Sequence, residues 1–154
     1  MPEIRQILPP HHTHCDDLFS AAEEAAHKGD WVACETSQGN FSAEILAHLV
    51  AEESLLFPAF ENATGIRQGP TQVMRTEHEQ MRQLVAQMNA ALAVRDADAF
   101  GGAAETLLIL MQQHNMKEEN ILYPMCDQTL AGQIDVLGAE LIQRLEEAKC
   151  RSPL

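Results

Sequence analysis

Two segments of the chain carry the same set of chemically capable residues. His48-Leu-Val-Ala-Glu52-Glu53-Ser-Leu-Leu-Phe57-Pro58 returns 66 residues later as His114-Asn-Met-Lys-Glu118-Glu119-Asn-Ile-Leu-Tyr123-Pro124. Side chains four residues apart stand one above the other on a helix, so His48 shares a face with Glu52, and His114 with Glu118. Glu53 and Glu119 fall one position further round, toward the flank. The same offset aligns His12 with His78, each followed by the pattern x-x-apolar-x-x-Leu-apolar.

A carboxylate set in an apolar seam costs several kcal/mol unless it is paired, hydrogen-bonded or coordinated. A divalent cation offsets that cost, and neutral imidazole is its natural companion. The spacing therefore predicts a metal site made by His12, His48, Glu52, His78, His114 and Glu118. Two glutamates from facing helices could bridge two ions, with a pair of histidines terminating each. Such a donor set suits iron, manganese or zinc better than calcium or magnesium. In the first segment His11, His12 and His14 compete. The repeat selects His12, whereas a helical wheel centred on Cys15, Leu18 and Ala22 places His11 slightly better; the repeat fixes the other positions consistently and is preferred. A structural His–Glu ion pair in each half is the competing reading.

The elements that must position these residues are all helices. Pro9 and Pro10 mark the start of a first helix that reaches about Lys28 and stops at Gly29. A second spans about 30 to 61, a third about 71 to 94 and a fourth about 99 to 127, with a loop at 62–69 and a short link at 95–98. Apolar residues at 3/4 spacing define a seam in each. Phe41, Ile45 and Leu55 mark it in the second helix, and Met74, Met81, Val85, Met88 and Leu92 in the third. Phe100, Ala104, Leu107, Met111, Ile121 and Met125 mark it in the fourth. The histidines and glutamates occupy the seam places left over. Pro58 and Pro124 are expected to bend or end the helices that carry the pairs. Ile134, Leu137, Leu141 and Leu145 predict a short extra helix at about 133–150. The expected architecture is all-α: a single domain over 1–154, with an up-down-up-down four-helix bundle at about 10–130.

Composition agrees and excludes. Aromatic residues are 5% of the chain, against 45% hydrophobic residues overall, a vocabulary poor in strand formers. The formal charge of -13 repels phosphates, so neither nucleic acid nor an anionic membrane is an expected partner. No apolar run reaches signal-peptide or transmembrane length, which points to the cytoplasm. Cys15, Cys34, Cys126 and Cys150 form no CxxC pair and read as free thiols, with Cys15 and Cys126 filling the core and Cys150 exposed. No phosphate-binding loop, GxSxG or HExxH motif is present.

These motifs resemble the hemerythrin-like, or HHE, family: His48-x-x-x-Glu52 with Leu-Phe-Pro following, Glu77-His78, and His114-x-x-x-Glu118-Glu119 with Leu-Tyr-Pro following. The likeness covers roughly residues 8 to 130. It implies a four-helix bundle around a non-haem di-iron centre, with His12, His48, Glu52, His78, His114 and Glu118 at ligand positions. It also carries a departure. Oxygen-carrying members have a second histidine one turn along the third helix, where this chain has Arg82. Fewer protein ligands leave more open coordination, and His11, His14 or Glu44 are the candidates for a fifth histidine-like ligand. The expected function is binding or sensing of a small molecule such as oxygen, peroxide or nitric oxide. The alternatives are a peroxidase-like or iron-sulfur-repair, iron-donating activity, or a metal-stabilised interaction bundle. In the last, the C-terminal helix serves for docking or for a homodimer.

Overall fold

The computed structural model describes residues 2–151, with side chains through Lys149. The described residues form helices and connections and contain no strand. Helix α1 spans Ile4–Lys28, α2 Trp31–Ala51, α3 Phe57–Thr64, α4 Pro70–Ala93, α5 Ala97–Lys117, α6 Tyr123–Thr129 and α7 Ile134–Arg151. Two π-helical turns, Glu52–Leu56 and Glu118–Leu122, join α2 to α3 and α5 to α6 without a break. The molecule is a helical bundle in which α1 packs along α2 and α4 along α5, and α7 lies across α2 and α1.

Two apolar clusters hold the bundle together, and the chain passes between them four times. Helix α1 contributes Ile4 and Leu8 to the first cluster and Cys15 and Phe19 to the second. The chain then runs from Phe41, Ile45 and Leu49 in the second to Leu56, Phe57 and Phe60 in the first. Met74 lies in the first and Met81, Val85 and Met88 in the second, after which α5 starts from Phe100, Leu107 and Met111 and leads to Leu122 and Tyr123. The polar layer falls between the clusters on all four passages.

The start of α1 differs from its expected place. It begins at Ile4, and Pro9 and Pro10 lie inside it. Two donors of the first turn, otherwise orphaned, are taken by a residue far along the chain: Asp127 Oδ1 accepts from the Ile4 N–H at 2.7 Å and Oδ2 from Arg5 at 3.4 Å. Gln6 Oε1 accepts from the Glu3 N–H at 2.8 Å. With Ile4 and Leu8 fully buried, this anchoring outweighs the two N–H groups that the prolines lack. The stop at Gly29 is as expected, with φ 75° closing the helix in the left-handed region.

Pro58 and Pro124 do not end their helices. Each follows a π turn, in which the backbone N–H of Phe57 reaches Glu52 O and that of Tyr123 reaches Glu118 O. The wider turn accommodates a residue with no N–H and a bulky ring. It also advances the helix phase. Ile121 is 54% exposed and Leu55 only partly buried, while Leu56, Phe57, Leu122 and Tyr123 point inward. The predicted seam places at Ile121 and Leu55 are therefore corrected by one or two positions, and Met125 lies at the cluster's margin.

Helix α7 agrees with the expected C-terminal helix, burying Leu137, Leu141 and Leu145. Cys15, Cys34 and Cys126 are buried free thiols. The expectation for the Cys150 thiol lies outside the described side chains. No helix among the described residues is long and apolar enough to cross a membrane.

Candidate metal centre

The six residues selected by the repeat come together in the layer between the clusters. His12, His48, Glu52, His78, His114 and Glu118 are all buried, none more than 4% exposed. One ligand atom from each of Glu52, His78, His114 and Glu118 falls within 4.8 Å of the others, and the same holds for His12, His48 and Glu118. Each glutamate reaches across the repeat. Glu52 Oε1 lies 3.6 Å from His48 Nε2 on its own passage and 3.2 Å from His78 Nε2 on α4. Glu118 Oε1 lies 3.2 Å from His114 Nε2 and 3.1 Å from His12 Nε2 on α1. Of the three neighbouring histidines, His12 lies in a converging group, and His11 and His14 do not.

On the side away from the layer, each of its four histidines is anchored through Nδ1. Glu119 holds His12 at 2.6 Å, Glu53 holds His78 at 2.8 Å and Glu77 holds His114 at 2.9 Å. Arg82 clamps Glu53 at 2.6 and 2.8 Å, and Lys117 reaches the second oxygen of Glu77 at 2.5 Å. His48 has no carboxylate of its own. Its Nδ1 meets His11 Nδ1 at 2.9 Å, and His11 Nε2 meets Glu44 Oε2 at 2.9 Å. These anchors orient the rings so that their Nε2 atoms face the layer.

The sequence placed Glu53 and Glu119 only on the flank, and the repeat itself contained the missing signal. Each stands one residue after a seam glutamate, just as Glu77 stands one before His78. Arg82, in the place of the family's extra histidine, works outward on Glu53. Of the three candidates for a fifth ligand, His11 and Glu44 form the outer link to His48. The His14 side chain is 41% exposed and lies 3.5 Å from Glu44 Oε1. None of the three belongs to the converging groups.

Tyr123 was read only as part of a helix-bending Tyr-Pro pair, yet it enters the site. Its hydroxyl donates to Glu52 Oε2 at 2.6 Å, lies 3.0 Å from Glu118 Oε1 and 3.3 Å from His12 Nε2. The repeat-related Phe57 has no such group and sets its ring 5.4 Å from that of His78. The π turn is what aims Tyr123 inward, and the sequence pattern gave no hint of it.

The electrostatics follow from burial set against facing charge. Burial disfavours the charged form of His12, but Glu118, Glu52 and Glu119 hold its pKa up at about 9. Burial likewise opposes charge on His78, yet Glu52 and Glu53 bring it to about 9. His114 is raised in the same sense, mainly by Glu118 against its burial. Glu52 is held well below the usual carboxylate range despite its burial, because His48 and His78 face it. His11 goes the other way: burial first, then the neighbouring histidines, push it down to about 3. Burial also raises Glu44, which His14 and Lys149 oppose. Tyr123 is pushed well above its ordinary value by burial and by the two glutamates it touches.

Hydrogen bonding within the layer is incomplete. His48 Nε2, Glu52 Oε1, His78 Nε2, His114 Nε2 and Glu118 Oε2 are buried and have no hydrogen-bond partner. Orphaned polar atoms are rare in interiors. Two more, Gln38 Oε1 and Asn40 Oδ1, lie away from the layer, and the other five belong to the converging residues. Imidazole nitrogens with carboxylate oxygens, and no thiolate, form a donor set that fits iron, manganese or zinc. The group is able to hold a metal.

The hemerythrin HHE cation-binding domain model matches residues 3–126. The chain belongs to this hemerythrin family. Searches of curated proteins and of solved structures returned no match. The family binds metal ions, typically iron. In this hemerythrin-domain chain the buried histidines and glutamates described above form the cluster suited to that role. Helix α7 lies beyond the matched residues.

Proposed function

We propose that this hemerythrin-like protein holds two iron ions on His12, His48, Glu52, His78, His114 and Glu118 and uses them to bind or sense a small molecule such as oxygen, peroxide or nitric oxide. The observation that carries the reading is the set of buried atoms without a hydrogen bond on five of these six residues, all but His12. His12 with His48, and His78 with His114, form two pairs with ring centroids 4.7 and 4.9 Å apart, and Glu52 and Glu118 span between them. Iron held there would supply the redox chemistry. The protein's own part is to fix the donors, hold the rings through their Nδ1 anchors and exclude bulk water with two apolar clusters.

The reading includes an up-down-up-down four-helix arrangement in one domain. It is supported by the alternating order in which the helices visit the two clusters. The test is spectroscopic. Iron-loaded, reduced protein should change its ultraviolet-visible spectrum on exposure to oxygen or nitric oxide, and His78→Ala should abolish that change. An unchanged spectrum at full iron occupancy rejects the proposal.

One observation favours a second reading, peroxidase-like turnover. The Tyr123 hydroxyl holds a proton between Glu52 and Glu118, beside the cluster. Peroxide consumption by the iron-loaded protein that falls at least tenfold in Tyr123→Phe, with iron content preserved, would favour turnover over simple binding.

A further inference from the structure

Laid over one another at the 66-residue offset, the two halves differ at several positions around the centre, and three of them bear on the donors themselves. His11 stands where the second half has Glu77, Glu44 where it has Leu110, and Tyr123 where the first half has Phe57. Glu77 accepts directly from His114 Nδ1. On the other side an imidazole, that of His11, is interposed between His48 and Glu44. Glu44, as a carboxylate, only accepts, so His11 Nε2 carries the proton and His11 Nδ1 is left as an acceptor. His48 Nδ1 must then donate to it. A carboxylate facing an imidazole N–H makes the far nitrogen a better metal donor, and an imidazole in its place does so less.

A separate observation points the same way. Glu52, His78, His114 and Glu118 converge as a group of four, but His12, His48 and Glu118 as a group of three. Tyr123 takes up Glu52 Oε2 on that poorer side and sits 3.3 Å from His12 Nε2.

We propose that the two cation positions are unequal: the one at His78 and His114 fills first and tightly, and the one at His12 and His48 holds an exchangeable ion whose affinity is set by the His11–Glu44 link. The proposal rests on the di-metal reading above. His11 and Glu44 are positioning residues that act through His48. Their outer end opens on a cleft between α1 and α7, lined by His11, His14, Ile142, Glu146 and Lys149. An element beyond the matched family residues thus covers the link.

The repeat supplies the test. Manganese(II) titrated into the full chain, followed by calorimetry and by the electron paramagnetic resonance of free manganese, should bind in two separated steps of one ion each. Glu44→Leu should weaken the second step by about 10- to 100-fold and leave the first alone. The double variant His11→Glu with Glu44→Leu copies the second half's Glu77 and Leu110, and it should draw the second step toward the first. Glu44→Gln keeps an acceptor oxygen without the charge and should give a smaller weakening, which serves if the leucine variant does not fold. Two equal steps in the wild type, or equal weakening of both steps by the Glu44 variants, overturn the inference alone. Binding of no ion, or of a single ion, overturns the di-metal reading and the inference with it.

Discussion

At the scale of single residues, the centre depends on how buried charges and donors are shared. Tyr123 links Glu52 and Glu118 through one hydroxyl. In protein stripped of metal by a chelator, Tyr123→Phe should cost about 1–3 kcal/mol in urea unfolding, because two buried carboxylates lose a donor at once. A cost below ~0.5 kcal/mol would mean that the hydroxyl is not bonded as described. A second residue prediction lies away from the centre. Glu61 accepts from Thr71 Oγ1 at 2.7 Å and from Arg75 at 3.2 Å. Burial would raise its pKa, but Thr71 and Arg75 lower it below the usual carboxylate value. A depressed folded-state pKa contributes stability that is present above the unfolded value of roughly 4.3 and lost as pH falls through the folded value. Wild-type stability should therefore fall more steeply than that of Glu61→Gln as pH drops from about 5. Parallel acid titrations of the two by circular dichroism would contradict this.

At the scale of elements, the Asp127 cap ties the end of α6 to the start of α1. Asp127→Ala should cost about 1–2 kcal/mol and speed amide exchange at Ile4 and Arg5, while exchange within α4 stays unchanged. This contact also shows where the sequence stopped being legible. The helices, their polarity patterns and the six converging residues could be read because a 3/4 apolar spacing and an exact 66-residue repeat are local or self-referential signals. The early start of α1 could not, since its donors are satisfied by a residue 123 positions away. The π turns were equally hidden. An extra residue in a turn leaves no mark on the spacing until a proline forbids the ordinary α bond, so Ile121 and Leu55 were placed on the seam. Leu122 and Tyr123 were missed for the same reason. The outer anchors were half legible: Glu53, Glu119, Glu77 and Arg82 were in view as letters, but which nitrogen each would meet is a matter of ring orientation.

At the scale of the whole molecule, α7 closes the cluster that holds Ile4, Leu8, Leu56 and Tyr123. Deleting residues from Gly132 onward uncovers that cluster and removes Leu137, Leu141 and Leu145 from it. The loss should be roughly 5 kcal/mol or more, measured by denaturant unfolding. Retained stability would show that the cluster does not need the helix. The charge distribution belongs to this scale too. A chain of formal charge -13 that also buries carboxylates at its centre is self-repelling, and divalent cations bound by those carboxylates would offset part of that repulsion. The folded state should therefore be stabilised by metal far more than by an equal ionic strength of monovalent salt.

The layer of histidines and glutamates is proposed to hold a pair of cations. Metal content per chain, measured by elemental analysis of protein purified from iron-sufficient cells, tests it most directly. Two irons per chain, falling below one in Glu118→Ala, is the predicted result. A wild-type chain that carries no stoichiometric metal while remaining folded would contradict it, and would leave the cluster as a network of paired imidazoles and carboxylates.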